Sequence, residues 1–445
     1  MARQKPDLPK GFRDFLPSVM VPRKRVMDTL TRTFERYGFE PLETPAMERI
    51  ETLTGKYGEE GDQLMFKVLR RGEKAGAGEV DLAMRYDLTV PLARVVAMYP
   101  ELPRPFRRYQ IQPVWRADRP QKGRYREFTQ CDVDVVGSTS PLVEVEVISM
   151  MDGVFRELGF GDHVVRVNHR QVLNGLVRSA GVPDELQVST IVAIDKLDKV
   201  GKDGVAKELG ERGVQADSIS RLLQLLELSG PWRELLPVLS AIVGEDAAAT
   251  AGVANLRTIF QGLEAAGVPD RHFALDPFLA RGLSYYTGAV FETRLPEVSF
   301  SLGGGGRYDE LIGMFLGENV PACGISFGFD RMLTVMEDRG MFSNQRSAVQ
   351  VLVTVHNDDL QDEAIALASL LRTAGITVDL YPGAVKLGHQ LRYAERRGIP
   401  LALMVGPDEA SRGEVTVKNL ATRTQEAVSR AEVVAAVHRH LPYEG

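Results

Sequence analysis

The sequence predicts a multidomain chain that combines an α+β part built on an antiparallel sheet with a smaller α/β domain at the C-terminal end. Three observations carry this. Alternating runs such as "FRRYQIQPVW" and "FTQCDVDVVG" have the period of two expected of half-buried antiparallel strands. Residues 171–255 are rich in Leu, Ala, Glu and Lys at helical spacing and carry little strand signal, so they form a helical insertion. From Val349 onward the pattern becomes strand, helix, strand, helix, the signature of a sheet covered on both faces.

Taken in order, Ser18 to Tyr37 predicts a helix, with Val26, Leu30, Phe34 and Tyr37 on one stripe and Gly38 ending it. "FEPLETP" (Phe39–Pro45) predicts a strand closed by proline. Between Phe66 and Gly137 short alternating runs predict antiparallel strands, joined by a long polar loop from Ala117 to Glu127. Pro141 to Leu158 predicts a helix and "HVVRVNH" a strand. Four or five helices are expected in the insertion. Strands resume with "RHFALDPFLARGLSYYTGAVFE" and "VSFSLGGGGRYDEL", and a helix over Phe329 to Glu337 follows "CGISFGF". The organisation is therefore 1–170 and 256–335 as one split domain, 171–255 as its insertion, 336–348 as a linker and 349–445 as a separate domain. In that last domain "LALMVG" and "EVTVKNL" read as further strands before a terminal helix.

At 445 residues, 44% hydrophobic and 26% charged, the chain can bury a sizeable core. A net charge of −6 and a pI near 5.8 exclude a globally basic nucleic-acid coat, though not a local basic surface. Two cysteines, Cys131 and Cys323, imply no disulfide framework and a reducing compartment. The charged, proline-broken start is unlike a signal peptide, and no apolar run has membrane-spanning length. A cytoplasmic protein without membrane segments is expected.

Between Pro103 and Phe128 eight basic residues, Arg116 and Arg124 among them, face only Asp118 and Glu127, with five aromatic residues interleaved. A solvated hairpin with arginine stems lying over an apolar strand would explain this. So would a polyphosphate or nucleic-acid site, because guanidinium forks grip phosphate oxygens and rings stack on bases. Other chemistries lack their residues. There is no G-x-x-x-x-G-K-[ST] loop, no G-x-S-x-G elbow, and "LGGGGRYDEL" fails G-x-G-x-x-G at Tyr308. The seven histidines are scattered, and the cysteines match no zinc spacing. Basic clamps and polar pockets without a nucleophile suit a substitution driven by positioning and charge.

Read together, these motifs resemble a class II aminoacyl-tRNA synthetase. The first helix with "FEPLETP" resembles the dimer-forming first motif, "VWRADRPQKGRYREFTQ" the ATP-binding second, and "GISFGFDRML" the third. "RGLSYYTGAVFE" and "SLGGGGRYDELI" further resemble two peptides peculiar to histidyl-tRNA synthetases, usually written R-G-L-D-Y-Y-T-G and G-G-G-R-Y-D. The resemblance implies a class II antiparallel-sheet catalytic domain with a helical insertion and a C-terminal anticodon-binding domain. It implies activation of histidine by ATP and Mg²⁺, transfer to tRNA(His), and a homodimer, with no metal held by a protein cluster.

By the same resemblance, Arg116 would hold the α-phosphate, Arg124 the outer phosphates, and Phe128 with Arg331 the adenine, with Asp118 also on the ATP side. Asp87, Thr89 and Gln130 would hold the α-ammonium, and Asp134 and Tyr286 the two imidazole nitrogens. Tyr285 belongs to the same histidine pocket. Arg281 would steady the reacting carboxylate, while Gly304 and Gly305 would let backbone approach the amino acid. Period-2 alternation through the motif would put Ser284 and Tyr286 on one face and leave Tyr285 as the packing residue. The sequence departs from the family at Ser284, where aspartate is usual. Asp87, Asp118 and Asp134 stand where bacterial relatives often have glutamate, each shorter by about 1.5 Å, one C–C bond. A catalytically silent, histidine-sensing regulatory subunit of ATP phosphoribosyltransferase is the competing reading; such paralogues typically lack an anticodon domain and lose ATP-contacting residues. An ATP-dependent amino-acid adenylating enzyme with no tRNA partner is a third reading, and the C-terminal domain argues against it as well.

Overall fold

The computed structural model describes residues 6–55, 58–70, 78–121, 123–280, 285–342 and 347–441. It divides into two units, Met1–Arg13 with Met27–Val335, and Asp14–Val26 with Met336–Gly445.

The larger unit is built on an eight-stranded sheet. Its order across the sheet is Glu40–Pro41, Phe106–Trp115, Glu127–Val136, Ala322–Phe327, Gly303–Arg307, Ala289–Arg294, Val164–His169 and Phe273–Leu275. Neighbours run antiparallel except at the two edges, where the outermost strand joins in parallel. The long hairpin read from the sequence is present, paired from Phe106 opposite Val136 to Trp115 opposite Glu127. Alternation gives its two faces different work. Tyr109, Cys131 and Val133 pack into the core, where Phe34 lies 5.6 Å from the rings of both Tyr109 and Phe327. Arg108 and Gln110 lie opposite Asp134 and Asp132 on the other face, and there the site is built.

Three local expectations change. "FEPLETP" pairs only at Glu40–Pro41, because Pro41 and Pro45 have no N–H to extend the ladder. Thr89–Met98, within the stretch read as strands, is a helix despite its β-branched residues. Val90, Leu92, Ala93 and Val96 all bury into one apolar cluster, so packing overrides propensity. Pro91 sits in the first turn, where a missing N–H costs nothing. The helical region holds six helices, from Arg170–Ser179 to Ala247–Ala265, and the last crosses the expected boundary at 255. Val253, Leu256, Ile259, Phe260 and Leu263 continue one buried stripe through it. These helices belong to the same compact unit as the sheet. Gly262 allows the close approach, since a Cβ there would lie 2.5 Å from a methyl of Val145.

In the second unit the sheet order is Val378–Leu380, Val351–Val353, Leu401–Met404, Glu414–Asn419, Gln425–Ser429, parallel over the first three strands and antiparallel over the last two. Val351 and Val353 pack into one apolar cluster with Leu367 and Val437, whereas Leu352 packs on the opposite face with Ala394 and Ile399. Both faces are covered, as the alternation predicts. The final hairpin strand was not legible; its turn places Arg423 in the left-handed region at φ 62°.

Candidate functional site

On the polar face of the hairpin lies a cavity of about 410 Å³. Asp87, Thr89, Arg116, Asp118, Arg124, Phe128, Gln130, Asp134, Tyr285, Tyr286, Gly304, Gly305 and Arg331 all line it. Among the expected residues only Arg281 is not placed; it lies outside the described residues, as does Ser284.

At one end the cavity is acidic. Asp134 is buried, with its Oδ1 accepting the Tyr308 hydroxyl and its Oδ2 2.6 Å from Arg108 Nη2. That second contact is ionic, since Oδ2 has no aligned hydrogen-bond donor. Arg108 is wholly buried and also donates to Gln110 Oε1 at 3.1 Å. Asp132, one step along the same strand face, lines the cavity too. Burial pushes its carboxyl up to about 7; the charge of Arg108 opposes this, and Asp134 and Asp87 reinforce it. Burial likewise raises Asp134, against Arg108 and the Tyr308 hydrogen bond. Asp87 Oδ1 accepts the Val90 N–H at 3.1 Å, so the helix that propensity hid is what holds Asp87 and Thr89 at the cavity.

The other end is basic. Arg116 donates from Nε to the Tyr86 carbonyl at 3.1 Å, and its guanidinium lies 4.4 Å from the Tyr86 ring and 5.1 Å from that of Phe128. Arg124 rests on Asp118 at 2.7 Å and is half exposed, free to swing to another anion. Arg331 donates to the Ser301 carbonyl at 3.2 Å. Beside it, Asp330 accepts from Arg13 at 2.7 Å and from the Thr129 N–H at 3.0 Å. That bridge ties the Phe329–Asp338 helix to the strand bearing Phe128 and sets the two groups expected around adenine.

Glycines of two neighbouring strands, Gly303, Gly304, Gly305 and Gly324, also line the cavity. A Cβ on Gly305 would lie 1.9 Å from the Gly324 carbonyl oxygen, and one on Gly324 1.9 Å from Asp134 Oδ1. Only glycine fits either position. Arg307, next in the motif, is turned away from this role: its Nε and Nη2 fork onto buried Glu144 at 2.6 and 2.8 Å. The tyrosine motif also differs from the alternation read from sequence. The strand begins only at Ala289, Tyr285 to Gly288 are irregular, and both tyrosines line the cavity. Tyr285 packs edge-on against Tyr308 with centroids 5.9 Å apart.

Sequence reasoning missed Asp132, Ser326, Tyr308 and Arg108 as parts of this wall. The first was legible, because Gln130, Asp132 and Asp134 share a face by alternation. It also missed a buried cluster elsewhere, in which Asp152 Oδ1 meets His163 Nε2 at 3.0 Å and His272 Nδ1 at 2.6 Å. These are the one group among the described residues with metal-ligand spacing, and mutual hydrogen bonds account for it.

The sequence profile of the Histidyl-tRNA synthetase family matches residues 11–332, and that of the Anticodon binding domain matches residues 349–440. A histidine–tRNA ligase of Gloeobacter violaceus is 45% identical over 450 residues, covering 95% of this chain and 96% of the relative. The crystal structure of histidyl-tRNA synthetase from Nostoc sp. PCC 7120 matches with a TM-score of 0.89 at 33% identity, over 99% of this chain and 100% of that one. A Bacillus halodurans structure described as an ATP phosphoribosyltransferase regulatory subunit/histidyl-tRNA synthetase covers 87% of this chain and 97% of its own. Its TM-score is 0.73 at 25% identity.

Proposed function

Because the chain belongs to the histidyl-tRNA synthetase family, we propose that its two-ended cavity joins histidine to ATP and then passes histidine to the 3′ end of tRNA(His). The observation that carries this reading is the segregation of charge. Asp87, Asp132 and Asp134 gather at one end, and Arg116, Arg124 and Arg331 stand at the other with Asp118 and Asp330 beside them, while glycines line the stretch between. Histidine enters with its ammonium toward Asp87, Thr89 and Gln130 and its ring toward Asp134, Tyr286 and Tyr285. Its carboxylate then points at the basic end and attacks the α-phosphorus of ATP. A bond forms from carboxylate oxygen to phosphorus, the bond to the β-phosphate oxygen breaks, and pyrophosphate leaves.

Arg116 neutralises charge growing on the α-phosphate, and Arg124 leaves Asp118 for the outer phosphates. Phe128 and Arg331 enclose the adenine. Arg281 supports the attacking carboxylate by its place in the motif. Asp118, once Arg124 has moved, is a cavity carboxylate that would help hold a Mg²⁺ ion, which would supply positive charge to the phosphates of ATP. In the second step the terminal ribose hydroxyl of tRNA attacks the activated carbonyl and AMP leaves. No enzyme nucleophile is needed, so orientation and charge supply the rate. Gly304 and Gly305 let the ligand lie against backbone. Selectivity rests on buried groups that only imidazole satisfies at both nitrogens, a mode of rejection worth about 10⁴–10⁵.

Retention of these arginines and the match of residues 349–440 to an anticodon-binding domain weigh against a silent regulatory paralogue. The reading includes a cytoplasmic homodimer, supported by the first-motif resemblance and by a sequence with only two cysteines, both buried; no described helix is long and apolar enough to cross a membrane. The test is histidine-dependent exchange of pyrophosphate into ATP, then charging of tRNA(His). Both are expected. Absence of exchange would refute the reading, and exchange without charging would leave only an adenylating enzyme.

A further inference from the structure

Gly11 and Arg13, near the start of the chain, touch the parts that carry the basic end without lining the cavity themselves. The Gly11 carbonyl accepts the Arg126 N–H at 2.9 Å. Arg126 in turn closes the base of the loop that bears Arg124. Its carbonyl accepts the Arg116 N–H at 2.9 Å, and its Nε donates to the Asp118 carbonyl at 3.0 Å. Gly11 sits at φ 88°, where a side chain is strained, and a Cβ there would lie 2.8 Å from Arg126 Cγ. The close approach needs glycine.

Arg13 makes two contacts that differ in kind. Its Nη2 donates to Asp330 Oδ1 at 2.7 Å, in the helix that carries Arg331. Its guanidinium carbon lies 3.2 Å from the centroid of the Tyr125 ring, next to Arg124 in the loop. A guanidinium only donates, so the direction of the first contact is fixed; the second is a cation–π contact through its face. Asp330 is 6% exposed, and its other oxygen already accepts the Thr129 N–H.

We propose that Arg13 is a positioning residue for ATP, holding the loop with Arg124 and the helix with Arg331 in register so that outer phosphates and adenine are gripped together. This rests on the ATP reading above and deepens it. One planar group serves both partners, because its edge meets Asp330 while its face meets Tyr125. Without that contact the nucleotide must itself order the loop, and the ordering cost is subtracted from binding. A lysine ammonium can keep the charge contact to Asp330 but offers no flat face to the ring.

Arg13→Lys and Arg13→Ala therefore give different patterns of loss, which a general weakening of the fold does not. Equilibrium binding by the full-length protein is measured with ATP, with AMP, which lacks the outer phosphates, and with histidine. Arg13→Lys should weaken ATP about fivefold and leave AMP and histidine within about twofold. Arg13→Ala loses the Asp330 contact as well, so ATP should weaken about 20-fold and AMP about fivefold, with histidine again within about twofold. Should Arg13→Ala fail to fold, the difference between ATP and AMP in Arg13→Lys carries the test alone. Equal losses of ATP and AMP in Arg13→Lys, unchanged ATP binding, or a matching loss of histidine would overturn the positioning role alone. Failure of the wild type to bind ATP would overturn the underlying reading and the positioning role with it.

Discussion

Asp132 has an energetic consequence separate from binding. Its carboxyl is pushed up to about 7 in the folded protein, chiefly by burial, against an ordinary value of 3.8. The groups around it are Arg108 on the neighbouring strand, Asp134 on its own, Asp87 from the start of the Thr89–Met98 helix and Ser326 from the other side. Between 3.8 and 7 the folded state keeps a proton that the unfolded chain releases. Raising the pH through that window therefore costs stability, by up to about 1.36 kcal/mol per pH unit from this group. Below 3.8 both states hold the proton and the penalty vanishes. Asp132→Asn removes the titration while keeping the shape. Its unfolding midpoint relative to wild type should rise more at pH 8 than at pH 5, and an equal difference at both would count against the assignment. Arg307 shows the opposite outcome for a buried charge. Its fork onto Glu144 gives full compensation, which explains why an arginine in a ligand-binding motif serves the scaffold.

Elements place these residues, and the helix Arg170–Ser179 shows how an element end can carry a pH response. Its N-cap, His169, accepts the Gln171 N–H at Nδ1, 3.2 Å away, and so must keep that nitrogen unprotonated. Burial, with help from the Arg307 charge, pushes its imidazole down to about 4. Here the unfolded chain takes up the proton first. The stability His169 contributes is complete above the ordinary value of 6.5 and is lost as pH falls toward 4, on the order of 3 kcal/mol there. Asn can cap without titrating, so His169→Asn should flatten the acid limb of stability between pH 6.5 and 4. A limb as steep as the wild type's would refute this. The same scale explains what was legible in the sequence. The long hairpin was, because each of its faces has one environment and alternation survives. The helix holding Asp87 and Thr89 was not, because "TVPLARVVAM" is buried almost all round and periodicity then carries no signal. Nor was the placement of the twin tyrosines, which precede the strand that alternation presumed. The glycine lining was visible as a motif, but its cause, a backbone approach that excludes any Cβ, needs partners distant in sequence.

At the scale of the whole molecule, the proposed function assigns the chemistry and the reading of tRNA to different parts of the chain. Every residue lining the cavity falls between Asp87 and Arg331, within the larger unit. The anticodon-binding match begins at residue 349, in a unit whose sheet is packed on both faces by its own helices. On the function proposed above, histidine activation needs only the cavity, whereas recognition of one tRNA among many draws on the anticodon-binding domain. Ending the chain after residue 348 should therefore divide the two steps. Pyrophosphate exchange with histidine should persist within about tenfold of the full chain, after correction for folded fraction. Charging of tRNA(His) should fall by at least 100-fold in kcat/KM, since losing about 3 kcal/mol of binding from a whole domain already gives that factor. Measuring both on one preparation controls for damage to the catalytic unit, because misfolding would lower exchange and charging together. If charging survives with exchange, the C-terminal domain does not supply tRNA recognition. If both fall together while circular dichroism shows a folded larger unit, activation itself depends on the second unit, and the separation argued from the cavity's lining is wrong.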